Sequence, residues 1–301
     1  MNDSIKPYLE HVLGDTWCIV TGFCRIPLYM PDRSQAIMID SGLKNPDREG
    51  ILSLLKREKI HVSALLTSHF HPDHIGNHSA LVARYGCTVY MTPYADLISQ
   101  EPFNLLSIGY EVVAPGEQRK PLSWRADQII PRNASAIEVD GVQFSLLWLP
   151  GHMVEQVGYV TPDGVAYLGD TLLSDHVLQP MKLPYYTCLR LDLETKESLR
   201  KLHCKRYILA HNGVYEDIGG LIDRNSSAIY NQLEMIEQLA CQWMTFEQLC
   251  VAVLTHLGID LNEMRRVVGA KRNIRVLMEH LVETGRLTAR VREGYVEYLA
   301  K

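Results

Sequence analysis

The chain has 301 residues, 47% of them apolar and 22% charged, with a formal net charge of −5. This is a globular balance, which excludes a disordered or fibrous chain and gives no overall signal for nucleic acid or a membrane surface. The length suits one large domain with a smaller one attached, or two medium ones.

The opening segment, MNDSIKPYLEHVLGD, has acidic residues and no apolar core, so no signal peptide is expected. Residues 14 to about 42 read as β structure, through TWCIV and the apolar run AIMID that ends at Ser41-Gly42. Ile51, Leu54 and Leu55 then mark a helix, and VSALLTS a short strand. Residues 79–85 read as helix, CTVYMT as strand, and 93–132 as irregular, with Pro102, Pro115 and Pro121. Strands return in AIEVDGVQFSLLWLP, where Asp140-Gly141 signals a hairpin, and in VGYVTPDGVAYLGD. A short helix over 192–203 leads to a last strand, RYILA. Strands alternating with helices in this way predict layered α/β architecture.

Past Gly219-Gly220 the pattern turns helical. Ile229, Leu233, Ile236 and Leu239 share a face, Thr245 and Gln248 form a capping box, Asn262 opens a shorter helix, and Ile274 to Val282 mark another. The chain ends in a hairpin turning at Glu293-Gly294. Helices followed by a hairpin predict a winged-helix-like domain over 221–301, after a catalytic domain over 1–220. The basic run MRRVVGAKRNIRVLM would lead into its recognition helix, which makes nucleic-acid contact conceivable. Residues 221–301 nonetheless carry ten Lys/Arg against ten Asp/Glu, so packing or homodimer formation is the favoured use.

Seven cysteines are scattered without a C-x-x-C pair, which predicts reduced thiols in a cytoplasmic protein. The chemistry is concentrated elsewhere. LLTSHFHPDHIGN places His69, His71, Asp73 and His74 within six positions at a strand end. Residues two apart on an extended segment point the same way, so His69 and His71 can reach one ion together. After Pro72 turns the chain, Asp73 and His74 can face a second. Imidazole with carboxylate suits zinc, iron or manganese better than magnesium or calcium. Isolated histidines are usually ordinary core or surface residues; so many at one strand end would bury polar groups without evident partners.

HFHPDH resembles the HxHxDH signature of the metallo-β-lactamase superfamily, glyoxalase II-like hydrolases among them. The resemblance covers residues 14 to about 215 and implies a four-layer αβ/βα sandwich. It also implies the remaining ligands: His152 in LPGH, Asp170 in YLGDT and His211 in ILAHNG, each after an apolar run. Carried over by position, His69, His71 and His152 would hold the first metal ion, Asp73, His74 and His211 the second, with Asp170 bridging them. Asp40, in MIDSG, would orient ligands from behind. Two ions about 3.5–4 Å apart share a water whose pKa falls to about 7, giving a hydroxide nucleophile; Asp73 would orient it or accept its proton. The expected activity is hydrolysis of an ester or thioester of a small molecule, with two divalent ions, zinc first and iron or manganese next.

Departures from the family bear on substrate. GHMVEQ lacks the Gly/Ser turn of the usual GHTxGS, and the loop 172–190 brings Lys182, Tyr185, Tyr186 and Arg190 as candidate contacts to an anionic substrate, with 93–135 as a second pocket-shaping segment. Two rival readings are a phosphodiesterase or nuclease using Lys271, Arg272 and Arg275, and a mononuclear iron sulfur dioxygenase using His69, His152 and Asp170 alone.

Overall fold

The computed structural model describes residues 6–101, 103–104 and 124–301. Strands β1 (Tyr8–Leu13), β2 (Thr16–Val20), β3 (Arg25–Asp32), β4 (Gln35–Ile39), β5 (His61–Leu66), β6 (Thr88–Met91) and β7 (Gln128–Ile129) lie side by side in chain order. The first four pair antiparallel; from β4 onward the pairing is parallel. A parallel step needs a crossover, which α1 (Asp47–Arg57) supplies between β4 and β5. Helices α2 (Pro72–Ile75), α3 (His78–Tyr85) and α4 (Pro93–Ser99) follow on this side.

The second sheet holds β8 (Ala136–Val139), β9 (Val142–Trp148), β10 (Val157–Val160), β11 (Val165–Tyr167), β12 (Arg206–Leu209) and β13 (Gly213–Tyr215), also in chain order. Its one parallel pair among the described strands, β11 with β12, is bridged by α5 (Asp175–Leu178) and α6 (Leu189–Ser198).

Strand alternation sorts the core into layers. Ile37, Ile39, Ala64 and Leu66 point between the sheets and meet Phe144, Val157, Tyr159 and Tyr167. Their neighbours Met38 and Leu65 point the other way, onto Leu54 and Leu55 of α1 and Leu81 of α3. On the far face Ala166, Leu168 and Leu209 pack against Leu199, Leu221 and Ile222. The result is helix, sheet, sheet, helix, the sandwich expected from the sequence.

Beyond Tyr215 come α7 (Gly219–Leu239), α8 (Phe246–His256) and α9 (Met264–Glu283), with β14 (Met244–Thr245), β15 (Leu287–Arg292) and β16 (Tyr295–Ala300) as a small sheet in the order β14-β16-β15. Leu233, Ile236, Leu249, Val253, Ile274 and Leu277 form a core of their own, into which Tyr186 and Leu189 also pack. The capping box of Thr245 and Gln248 is present at the start of α8.

Two local expectations are corrected and one strand is added. Residues 264–283 form one helix, with Asn262 in the turn before it, bonded through its N–H to Asp260. Gly269 costs a helix interior only about 1 kcal/mol, and the stripe Val267, Ala270, Ile274, Leu277, Leu281 runs unbroken along the buried face. Residues 93–99 form a helix, because Thr92 caps Ala95 N–H and Pro93 sits in the first turn, where it sacrifices no bond. Residues 8–13, unassigned from sequence, form a strand with no residue fully buried. Pro102, Pro115 and Pro121 lie outside the described residues. No helix among those described is long and apolar enough to cross a membrane.

Candidate metal centre

The strands deliver their polar residues to one edge. The parallel pair β4 and β5 ends at Ile39 and Leu66, so Asp40 and the segment Thr67–His71 emerge together. Asp40 adopts φ +61°, a left-handed conformation unusual for a residue with a side chain. There its buried carboxylate accepts bonds from Ser68 N (2.7 Å), Ser68 Oγ (2.6 Å) and the Tyr167 hydroxyl (2.7 Å). The same carboxylate lies 2.7 Å from Nδ1 of His74, which fixes that ring with Nε2 turned inward. His71 ends the extended segment and precedes α2, whose first turn carries Asp73 and His74.

His152 follows β9 on the loop Pro150–His152. Gly151 has φ +137°, and a Cβ there would lie 2.3 Å from the Cα of Asp192, so the close seating of α6 behind this loop requires glycine. Nδ1 of His152 is 3.1 Å from the Tyr185 carbonyl, leaving Nε2 to face His71 Nδ1 at 3.0 Å. Asp170 follows β11 and His211 follows β12, its Nδ1 3.2 Å from the Phe23 carbonyl.

All seven residues expected as ligands converge. Nitrogen and oxygen atoms of His69, His71, His152 and Asp170 lie within 4.8 Å of one another, as do those of Asp73, His74, Asp170 and His211. Asp170 belongs to both sets. Its Oδ2 is 3.4 Å from His152 Nε2 and 4.0 Å from His69 Nε2, while its Oδ1 is 3.4 Å from His74 Nε2 and 3.3 Å from His211 Nε2. Asp73 Oδ2 is 3.2 Å from His211 Nε2.

The electrostatics differ between the two sets. Burial holds His69, His71 and His152 below the ordinary histidine range, so these imidazoles are neutral, the form that binds a metal. Burial would also depress His74 and His211, but Asp170, with Asp73 beside it, overrides it and pushes both well up. Burial raises Asp170 and Asp73, yet the facing histidines win and hold both carboxyls below the usual range. Two buried carboxylates thus draw positive charge to one point. Nε2 of His74 and Oδ1 of Asp170 are buried there without a hydrogen bond. Nitrogens bound about 2.0–2.1 Å from a tetrahedral ion stand about 3.3 Å apart, close to the 3.0 Å separating His71 from His69 and from His152. The residues fit divalent metal ions.

The cluster forms one end of a cavity of about 210 Å³, lined also by Phe23, Leu173, Tyr185, Tyr186 and Lys196. Tyr185 packs its ring 5.1 Å from His71 and 5.3 Å from His152. Lys182 stands elsewhere: it lines a neighbouring cleft with Arg266 and Asn273 and bonds the Leu257 carbonyl. Arg190 is exposed and paired with Glu194 at 2.9 Å. Phe23 and Lys196 come to the site unsignalled by sequence, and Arg272, met there only as a possible nucleic-acid contact, reaches the site's wall. Arg272 of α9 lies 3.8 Å over the Tyr185 ring and bonds its hydroxyl. Two further members of the basic run are engaged too, Lys271 by Glu247 and Arg275 over the Phe246 ring at 4.2 Å.

Residues 29–211, more than half of the chain, match the family described as Metallo-beta-lactamase superfamily. The chain belongs to that superfamily, and membership implies divalent metal ions. Among curated relatives, the chain is 31% identical to hydroxyacylglutathione hydrolase of Vibrio cholerae over 143 residues, 48% of this chain and 44% of that one. It thus spans less than half the length of that relative. It is 24% identical to hydroxyacylglutathione hydrolase GloC of Haemophilus influenzae over 196 residues, 64% of this chain and 86% of the relative. Two solved structures share the fold along almost the whole chain: a metallo-beta-lactamase family protein of Thermus thermophilus (TM-score 0.71, 18% identity, 98% of this chain and 99% of that one), and a beta-lactamase domain protein of Burkholderia ambifaria (0.72, 16%, 97% and 93%).

Proposed function

We propose that the protein hydrolyses a thioester or carboxylic ester of a small molecule, using two zinc ions. In this reading His69, His71 and His152 hold one ion, Asp73, His74 and His211 the other, and Asp170 both. The observation that carries it is Asp170, which turns one oxygen to each set of donors. When bound, such ions would lower the pKa of a water and offset charge developing on the substrate oxygen.

The chain's own residues do the rest. Asp73 is the partly exposed carboxylate of the cluster. Burial would raise its carboxyl, yet the facing His74 and His211 hold it below the usual range, so it stands ionised and placed to orient the attacking water or accept its proton. Asp40 holds His74 in place through Nδ1. Tyr185, braced by Arg272, forms the cavity wall beside His71 and His152. At about 210 Å³, the cavity is smaller than the about 300–1,000 Å³ that encloses a drug-sized ligand. It therefore surrounds the reacting acyl group and leaves the carrier outside.

We read 221–301 as a winged-helix-like domain that braces this wall. The engagement of Lys271, Arg272 and Arg275 within the chain supports that use over nucleic-acid binding, and the relatives' printed activity supports a thioester over a phosphodiester. A panel of acyl thioesters, carboxylic esters and phosphodiesters tests the reading. Turnover of thioesters or esters is expected to exceed that of phosphodiesters by at least tenfold; turnover confined to phosphodiesters would reverse it.

A further inference from the structure

The cavity holds one feature that the reaction above does not use. Lys196 of α6 lines it, yet its side chain is only 3% exposed and pairs with Asp192, 2% exposed, one turn earlier. Withdrawing each ion of such a pair from water is costly, and an apolar residue would seat the helix without that cost. Among the described residues lining the cavity, Lys196 is the one lysine or arginine.

Its placement is tied to the metal centre. Asp192 packs its backbone against Gly151, next to His152, and Thr195 Oγ1 donates to the Pro150 carbonyl at 2.6 Å. Thr187 Oγ1 donates to the His152 carbonyl at 2.8 Å. The segment carrying Lys196 and the loop carrying His152 are therefore one rigid unit, and the ammonium stands at a fixed distance from the cluster. An ammonium has three donors. Asp192 takes one, and the Tyr186 ring lies 5.7 Å from Nζ. Leu173, Met181 and Pro184, apolar residues of the same cavity, have no side-chain acceptor, and the Asn225 amide oxygen there already accepts from Leu173 N at 2.9 Å.

We propose that Lys196 is a specificity-determining residue that binds a carboxylate on the acyl group of the substrate, making half-thioesters or half-esters of dicarboxylic acids the preferred substrate class. Asp192 keeps the cation tolerable when the cavity is empty, and the substrate carboxylate supplies a second charged acceptor. Charge-assisted bonds of this kind are roughly twice as strong as neutral ones. The inference rests on the hydrolase reading for the word substrate, but not for the binding itself.

Calorimetric titration of the zinc-loaded full-length protein separates the two. Malonate, succinate, glutarate and adipate are each compared with the monocarboxylate of equal carbon number. At one length, the dicarboxylate is expected to bind wild type about tenfold or more tightly than its partner. Lys196→Met abolishes that advantage. The double variant Asp192→Asn/Lys196→Met, which leaves no stranded carboxylate, abolishes it too while restoring thermal stability toward wild type. No advantage at any length overturns the proposal, as does an advantage that survives in either variant through chelation of the ions. A purely structural pair would lower the melting temperature and leave the binding ratio unchanged, which also overturns it. If no ester or thioester is turned over, the hydrolase reading fails and the titration still decides Lys196.

Discussion

Histidine does two jobs in this molecule, and the partner of each ring decides which. His74 has Asp40 behind it and two further carboxylates in front, so its ring carries positive charge or gives it up to a cation. His78, four residues on, lies between Ser41 Oγ (2.8 Å) and Thr67 Oγ1 (2.9 Å) and is 1% exposed. Burial drives its pKa from an ordinary 6.5 down to about 4. Between those values the unfolded chain binds the more protons, so stability is fully present above the unfolded value and is lost as pH falls toward the folded one. At about 1.4 kcal/mol per pH unit the loss approaches about 3 kcal/mol. His78→Gln keeps a hydrogen-bonding side chain but removes the titration. Urea melts from pH 7 to 4.5 should therefore show a shallower acid decline for the variant than for wild type. Parallel declines would mean that His78 is not the neutral, buried group described.

At the scale of elements, the active-site wall depends on a helix that supplies none of the seven clustered residues. Tyr185 touches two of the histidines and is held by Arg272 from α9. A cation over a ring contributes about 0.5–2 kcal/mol, and a wall displaced by about 1 Å can cost up to about 100-fold in rate. Arg272→Ala is therefore expected to lower kcat/KM about tenfold or more with metal content unchanged, and Arg272→Lys to rescue little, because the planar guanidinium is what stacks. Full activity in Arg272→Ala would remove α9 from the account. This dependence was not legible in the sequence. The basic run was visible, and its balanced surroundings favoured packing or dimer formation over nucleic acid, but which groups it packs on, Glu247, Tyr185 and Phe246, is set by tertiary structure. The break expected after Asn262 failed for a related reason, since polar residues and one glycine do not interrupt a helix whose buried stripe continues.

For the molecule as a whole, legibility followed how local each signal was. HFHPDH carries four cluster members in six residues. His152, Asp170 and His211 each follow an apolar strand, but it was the resemblance to the superfamily that marked them as ligands; the pattern of strands and helices by itself gave only a layered α/β architecture. Lys196 and Phe23 left no such mark. A lysine in a helix reads as solvated charge, and only the seating of α6 against Gly151 turns it inward. Strands β4, β5, β9, β11 and β12 bring their ends to one edge, and Asp170 is where the two sets of donors meet. Metal content per chain for wild type and Asp170→Ala, measured by elemental analysis after exhaustive dialysis, tests this most directly. Two zinc ions in wild type and at most one in the variant, with hydrolysis lost, is the predicted result; a variant that keeps both ions and its activity would contradict the account.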